Sequence, residues 1–444
     1  MAEDDGSHSP CKARGVLLAS GADARSVDVR GGTALHSAAD AGYDDVVRYL
    51  VSECGVFVDA RTTNGRTPLF VAASCGHDET VRVLFELGAD PTAEKEEGLV
   101  CPLSQAAWKG HLHTVQLLVS LGVDASWRNA KHGYSALHSA AEAGYDGVIR
   151  YLVSECGVSV DILTNDGRTP LYVAASFGRE LSVAVLQALG ADCAVLNEKE
   201  TSPLSAAAFQ GHLQTVQLLV ALGVDPSTSR PTSGSTPLHS AAEGGHNDVI
   251  RYLVSDCGVP VDVRTKDGRT PLYVAASFGR SMSVGLLHDL GADCTTENDK
   301  ESSPLGTAAF KGHLEVIRLL VLLGCDPLAS RPSSGFTALH SAAERGHDDI
   351  IRYLVGDCGF TVDVRTNDGR TPLYVAASFG RDTSVGMLYD LGADLVAITD
   401  KESSPLDMAA FKGHLETVRA LINFGVDPLT SRPTAGSTAL HYAA

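Results

Sequence analysis

The sequence predicts an all-α protein, an α-solenoid of stacked helix-turn-helix repeats, and three observations support this. The stretch DGRTPLYVAASFGR at 166–179 recurs letter for letter at 267–280 and 368–381. Both offsets are 101 residues, so the chain contains copies of one block. Within the blocks a Thr-Pro-Leu-like triplet recurs every 33 or 34 residues, from Leu35 to Leu440. A period of that size is typical of a supersecondary unit that stacks on copies of itself.

The repeated stretch has the features of a short helix. Thr169 is suited to cap a helix start with its hydroxyl, and Pro170 fits the first helical turn. Leu171 is expected to point into the core, and the two alanines that follow leave room for close helix contact. Gly178 then ends the helix.

A recurring signature indicates the family. It reads TALHSAA at 33–39, TPLHSAA at 236–242 and TALHSAA at 337–343. With its period, this signature resembles the ankyrin repeat, and the resemblance covers about residues 13–444. It implies a β-turn or hairpin tip and two antiparallel helices per repeat. Tetratricopeptide arrays share the 34-residue period but have a Trp-Leu-Gly pattern in place of T-P-L-H.

The repeat register divides the chain. Residues 1–12 are expected to form a disordered acidic tail, and residues 13–30 match only the second helix and hairpin of a repeat. Residues 31–435 contain twelve repeats in four blocks of three, and residues 436–444 begin a further, truncated repeat. Because terminal repeats normally need a polar outer face, we expect the natural protein to continue past Ala444.

Composition excludes several classes of function. The formal net charge is −19, which argues against nucleic-acid binding and against a polybasic membrane patch. No apolar run approaches the ~18 residues of a membrane-spanning helix, and the polar N-terminus lacks the features of a signal peptide.

The ten cysteines follow the repeat. Four of them, Cys54, Cys156, Cys257 and Cys358, occupy one position of successive blocks and lie too far apart to pair within a linear stack. We therefore expect free thiols in a reducing compartment, and an intracellular, cytoplasmic protein, with the nucleus as an alternative.

The sequence carries no common catalytic or phosphate-binding signature such as G-x-S-x-G, G-x-x-x-x-G-K-[ST] or H-E-x-x-H. Twelve of its sixteen histidines occupy repeat positions, either in the TPLH signature or after the helix-ending glycine, which favours a hydrogen-bonding role in the framework. We expect no enzymatic activity, cofactor, metal or small-molecule substrate.

The resemblance implies that partners dock on a concave face formed by the hairpin tips and the exposed side of the first helices. Carried over position by position, this face has aromatic rings and cations in a chain with few aromatics. The expected partner-binding residues are Arg66, Trp108, Lys109, Arg168, Phe177, Phe209, Arg269, Phe278, Phe310, Lys311, Arg370, Phe379, Phe411 and Lys412. A structural alternative stays open, in which the arginines pair with Asp166, Asp267 and Asp368 and the phenylalanines pack between first helices.

The sequence leaves two functions in competition. The first is a non-catalytic scaffold or adaptor for partner proteins. With helices about 8–10 Å apart, arginines of every third repeat would be roughly 25–30 Å apart, which suits extended or acidic protein segments. The second is the recognition arm of a larger effector, such as a ubiquitin-ligase adaptor, a kinase or a channel, whose active domain lies beyond residue 444.

Overall fold

The computed structural model describes residues 23–95, 100–430 and 438–443. Within these ranges the regular elements are helices, and β-type pairing is limited to isolated bridges such as Val27 with Thr33. This confirms the all-α prediction. The predicted tail and the first ten residues of the predicted partial repeat lie outside these ranges.

The described repeats are built from a first and a second helix, and in most of them the two helices contact each other. The first helices are α1 (Ala34–Ala41), α3 (Pro68–Cys75), α5 (Pro102–Lys109), α7 (Ala136–Ala143), α9 (Pro170–Ser176), α11 (Pro203–Gln210), α13 (Pro237–Gly244), α15 (Pro271–Ser277), α17 (Pro304–Lys311), α19 (Ala338–Arg345), α21 (Pro372–Ser378), α23 (Pro405–Phe411) and α25 (Ala439–Ala443). The second helices are α2 (Asp44–Ser52), α4 (Asp78–Glu86), α6 (Leu112–Ser120), α8 (Asp146–Arg150), α10 (Glu180–Ala188), α12 (Leu213–Ala221), α14 (Asn247–Arg251), α16 (Ser281–Asp289), α18 (Leu314–Leu322), α20 (Asp348–Arg352), α22 (Asp382–Asp390) and α24 (Leu415–Asn423).

The first helices begin and end as the sequence predicts. The Thr169 hydroxyl accepts a hydrogen bond from the backbone N–H of Tyr172 at 3.1 Å, and Pro170 occupies the first turn of α9. Leu171 is completely buried. Gly178 follows the helix with a φ of 68°, in the left-handed region that glycine adopts without steric cost.

The helices form two compact units, residues 1–207 with 212–224, and residues 208–211 with 225–444. In the first unit, α1, α3, α5, α7 and α9 pack one on the next, as do the second helices from α2 to α12. In the second unit, consecutive first helices from α13 to α25 pack in the same way. Each unit therefore has a core that continues from repeat to repeat, a stripe of leucines such as Leu137 and Leu272.

Three second helices end in a π-helix, which the sequence analysis did not predict. These are Tyr151–Glu155 after α8, Tyr252–Asp256 after α14 and Tyr353–Asp357 after α20. The N–H of Cys156 donates to the carbonyl of Tyr151, five residues earlier, at 3.1 Å. These repeats have one more residue before the glycine, LVSECG at 152–157 against LVALG at 219–223. The wider turn accommodates that residue.

Candidate partner-binding surface

The arginines of three hairpin tips form ion pairs. Nε of Arg168 lies 2.7 Å from the carboxylate of Asp166, and Arg269 and Arg370 approach Asp267 and Asp368 at the same distance. These arginine side chains are 42–49% exposed. The pairing that the sequence left open is therefore present, and it neutralises much of the charge of each tip.

Tyrosine rings also orient two of these arginines. The guanidinium carbon of Arg168 lies 5.8 Å from the ring centroid of Tyr172, and Arg269 lies 5.9 Å from that of Tyr273. Arg66 is exposed, and its tip has Asn64 where the other three have aspartate. The four arginines thus occupy the same place on their hairpins. Arg66 does not form the corresponding ion pair, because Asn64 replaces the aspartate.

Three phenylalanines at the ends of first helices are open to solvent. Phe177 is 47% exposed, and Phe278 and Phe379 are each 48% exposed. Trp108, Phe209 and Phe411 are exposed as well, whereas Phe310 is half-buried. The exposed rings are therefore not fully packed between helices. Each of them presents apolar area to solvent.

Cations lie against several of these rings. Nζ of Lys109 is 4.8 Å from the ring centroid of Trp108, and Nζ of Lys412 is 5.6 Å from that of Phe411. Phe310 is covered by Arg345, whose guanidinium carbon is 4.0 Å from the ring centroid. Arg345 was not predicted from the sequence, because it belongs to the following repeat. A guanidinium over a ring is attracted by the negative face of the π system.

The predicted residues divide between the two units. The first unit contains Arg66, Trp108, Lys109, Arg168 and Phe177, and the second contains the other nine. We call the fourteen residues together the aromatic–cation residues.

The signature histidines hold neighbouring repeats together. Nδ1 of His239 accepts from the backbone N–H of Thr236 at 3.2 Å, and Nε2 lies 3.0 Å from the carbonyl oxygen of Arg269 in the next repeat. His36, His138 and His340 make the same contacts. Burial lowers the pKa of His138, His239 and His340 to about 4. These histidines are neutral parts of the framework.

The histidines after helix-ending glycines reach back to the preceding repeat. Nε2 of His212 lies 3.1 Å from the carbonyl oxygen of Ser176. Corresponding contacts are made by His77, His111, His313, His347 and His414. In the second repeat of the three later blocks an arginine takes this place, and Nε of Arg179 donates to the carbonyl of Glu142 at 2.8 Å. The framework role predicted for histidine is confirmed for these residues.

A cleft of about 650 Å³ lies between two hairpin tips of the first unit. Its lining includes Lys131, His132 and Tyr134 from one tip, and Asp166 and Arg168 from the next. The sequence analysis identified Arg168 but missed Lys131 and His132. A signal for them exists, since NAKH at 129–132 interrupts a pattern that reads RPTS at 230–233 and RPSS at 331–334.

The nine cysteines in the described ranges are free thiols. Burial raises the pKa of Cys75 to about 11 and raises that of Cys325, whose Sγ lies 3.4 Å from the carbonyl oxygen of Cys294. Such thiols stay protonated and are poor nucleophiles. Among the described residues, no group of three or more His, Cys, Asp or Glu side chains could hold a metal ion. No helix in the same ranges is long and apolar enough to cross a membrane.

Comparison with known families defines the class of this protein. The model of the family described as ankyrin repeats (3 copies) matches residues 11–95, 103–197, 182–265, 204–298, 257–331 and 305–399, and that described as ankyrin repeats (many copies) matches residues 406–444. These matches cover most of the chain. The chain belongs to the ankyrin repeat family, and its repeats form a protein–protein interaction module.

Individual relatives match smaller parts. The chain is 39% identical over 70 residues to protein phosphatase 1 regulatory subunit 12A of Mus musculus and of Rattus norvegicus, a match that covers 16% of this chain. The matched segment spans only 7% of the length of those curated relatives. Among solved structures, the human ASB11 ankyrin repeat domain is 30% identical with a TM-score of 0.44, covering 50% of this chain and 97% of that one.

Proposed function

We propose that this protein is a non-catalytic scaffold or adaptor that binds partner proteins through the aromatic–cation residues of its repeats. The observation that carries the proposal is the exposure of Phe177, Phe278 and Phe379, each at 47–48% and each at the same position of its block. Aromatic and arginine side chains with this exposure are the anchors on which protein interfaces most often depend. Transfer of three such rings from water into an interface stabilises a complex.

The chemistry of the partner follows from the surface. The arginines of the tips already have carboxylate partners, so they contribute less net charge than their number suggests. The rings therefore supply most of the proposed affinity, and the cations orient extended or acidic protein segments. Nucleic acid is disfavoured by the net charge of −19. The proposed location is inside the cell, in the cytoplasm or the nucleus, and fractionation of native cells tests it.

A second candidate is the recognition arm of a larger effector such as a ubiquitin-ligase adaptor, a kinase or a channel. The name of the relatives favours this class, because they are regulatory subunits of a phosphatase and the matched segment spans 7% of their length. In this case the repeats select the target, and an activity encoded elsewhere in the same protein acts on it. The coding sequence beyond Ala444 distinguishes the candidates: a catalytic or channel domain there favours the effector.

The test is affinity purification from native lysate with the wild-type chain and the variant F177A/F278A/F379A. A matched control, L181A/M282A/L322A, removes three exposed apolar side chains from second helices, where Leu181, Met282 and Leu322 are 68%, 75% and 82% exposed. Circular dichroism first confirms that all three chains are folded.

We expect specific proteins to be recovered with the wild type and the control and to be lost from the phenylalanine variant. Recovery of the same set by all three chains would contradict the proposal and would move the binding face to the second helices or the hairpin edges.

A further inference from the structure

We infer that the cleft between the tips 129–134 and 164–168 of the first unit, here called the tip cleft, binds a carboxylate of an acidic partner segment. The inference rests on the proposed function, since it names the chemistry of the partner at one place on the tips. It depends on a comparison between this cleft and the corresponding tip of the second unit.

The corresponding tip of the second unit is occupied by a carboxylate of the chain itself. Oε2 of Glu301 accepts a hydrogen bond from the backbone N–H of Ser333 at 2.7 Å. Hydrogen bonds from Ser333, together with the charge of Arg331, hold the pKa of Glu301 below its ordinary value. This hairpin tip is therefore an established binding place for a carboxylate within this molecule.

Before the tip cleft, the sequence has an apolar residue at the position that corresponds to Glu301. The positions 202 residues before Glu301 and Ser333 are Leu99 and Lys131. The other two blocks retain glutamate, as Glu200 and Glu402, so only this tip is preceded by an apolar residue. No hydrogen bond or ion pair within the described ranges engages the backbone N–H or Nζ of Lys131. Among the described residues, the backbone N–H of Lys131 therefore has no partner, whereas that of Ser333 donates to a carboxylate, and Lys131 lies beside a cleft of about 650 Å³.

The same tip has gained positive charge. Lys131 and His132 replace Ser333 and Ser334 of the later block, and both are exposed. Arg168 lies across the cleft. These groups contrast with the net charge of −19 of the whole chain, and they complement an anion.

Two other polar groups of the cleft are already engaged. Asp166 pairs with Arg168 and accepts from the Thr164 hydroxyl at 2.6 Å, which offsets its repulsion of an anion. The Tyr134 hydroxyl donates to the carboxylate of Glu142. A bound carboxylate would therefore be held by the backbone N–H and ammonium group of Lys131, with His132 and Arg168 around it. Charge-assisted hydrogen bonds of this kind are about twice as strong as neutral ones.

The experiment titrates the full chain with a hexaglutamate peptide, with hexaglutamine as the uncharged control, and follows the amide resonances of Lys131 and His132. We expect saturable shifts with hexaglutamate only, weakened by added salt. The variant K131A/H132A is expected to bind hexaglutamate about tenfold more weakly, read from fluorescence anisotropy of the labelled peptide. The control K199A/K300A removes two exposed lysines from other hairpins, at least as much positive charge as K131A/H132A removes, and should bind like the wild type.

Three results would overturn the inference. The first is equal affinity of K131A/H132A and wild type for hexaglutamate. The second is inorganic phosphate that shifts the same amides at lower concentration than hexaglutamate, which would make the ligand a phosphate. The third concerns Glu96 and Glu97, which lie outside the described ranges. If E96Q/E97Q binds hexaglutamate more than tenfold more tightly than the wild type, the occupant is this chain's own acidic pair.

The phenylalanine variant separates this inference from the proposed function. F177A/F278A/F379A retains the tip cleft and should bind hexaglutamate like the wild type. If that variant keeps its native partners while K131A/H132A loses hexaglutamate, the tip cleft is supported and binding through the three phenylalanines is not.

Discussion

The imidazole of His138 joins two repeats, because its Nε2 lies 3.1 Å from the backbone carbonyl oxygen of Arg168. Its Nδ1 lies 3.3 Å from the backbone nitrogen of Ser135 and 2.8 Å from the hydroxyl of the same residue. A carbonyl only accepts and an amide N–H only donates, so the ring is the neutral Nε2–H tautomer. The backbone of Arg168 is thus fixed by a buried histidine, while its side chain lies on the hairpin tip.

Acid is expected to destabilise the protein through these histidines. The pKa of His138 is about 4 in the folded chain against an ordinary 6.5, so the unfolded chain binds the proton first as the pH falls. The contribution of each such histidine to the free energy of unfolding is therefore fully present above pH 6.5. It is lost as the pH falls from 6.5 to 4, by up to about 3 kcal/mol for each such histidine. Thermal melting between pH 7 and pH 5 measures this.

The control for the acid effect is H239Q. This variant should be less stable at pH 7 and should lose less stability than the wild type on going to pH 5, because it has one titrating group fewer. Burial raises the pKa of Asp161 above its ordinary 3.8, which acts in the opposite direction near pH 4, so the comparison ends at pH 5. An identical slope for both chains would contradict the assignment.

Two glycine substitutions should separate backbone strain from steric conflict. Gly178 and Gly190 both have left-handed φ values, 68° and 97°. A Cβ on Gly178 would lie 2.6 Å from Nδ1 of His212, whereas one on Gly190 would meet no atom within 4 Å. G190A should cost about 1–2 kcal/mol of strain. G178A should cost more, because it also displaces His212 from the carbonyl of Ser176.

Urea unfolding of the two glycine variants measures the difference. Equal destabilisation by G178A and G190A would mean that His212 moves aside without cost, and the contact between His212 and Ser176 would then contribute little to stability.

In Glu301, a side-chain hydrogen bond offsets the strain of an unfavourable backbone conformation. Its φ is 56°, in the region that favours glycine, yet its carboxylate accepts the N–H of Ser333. E301A keeps the strained backbone and loses the hydrogen bond, so it should be the least stable variant. E301G loses the bond but relieves the strain, so it should lie between E301A and the wild type. Thermal melting ranks the three chains, and E301A as stable as the wild type would refute this account.

The arginines of the tips should contribute little to folding. Because the pairs of Arg168, Arg269 and Arg370 with their aspartates are about half exposed, each arginine-to-alanine change is expected to alter stability by at most about 1 kcal/mol. Chemical denaturation of the three single variants measures this. As a control, R179A removes a donor to the backbone carbonyl of Glu142 and should cost more. Larger losses in the tip variants than in R179A would show that the ion pairs are structural.

The sequence predicted most of the framework because its signals are local. A capping hydroxyl, a first-turn proline and a glycine after the helix each act within one repeat, as Thr169, Pro170 and Gly178 do. The site was predicted less completely. The exposed rings follow from the repeat register, but the contact of Arg345 with Phe310 joins side chains 35 residues apart. No pattern within a single repeat contains that contact.

The sequence by itself therefore determined the family, the starts and ends of the first helices, and the role of the signature histidines, since all of these depend on residue types at fixed spacing. Tertiary structure alone decided how the extra residue before Cys156 is absorbed into a π-helix and why Glu301 tolerates a left-handed backbone. It also decided that Lys131 lines an open cleft while Ser333 meets a carboxylate. The physical reason is that these outcomes depend on the neighbouring repeat. A polar group forms a hydrogen bond only where atoms of that repeat lie close enough to it.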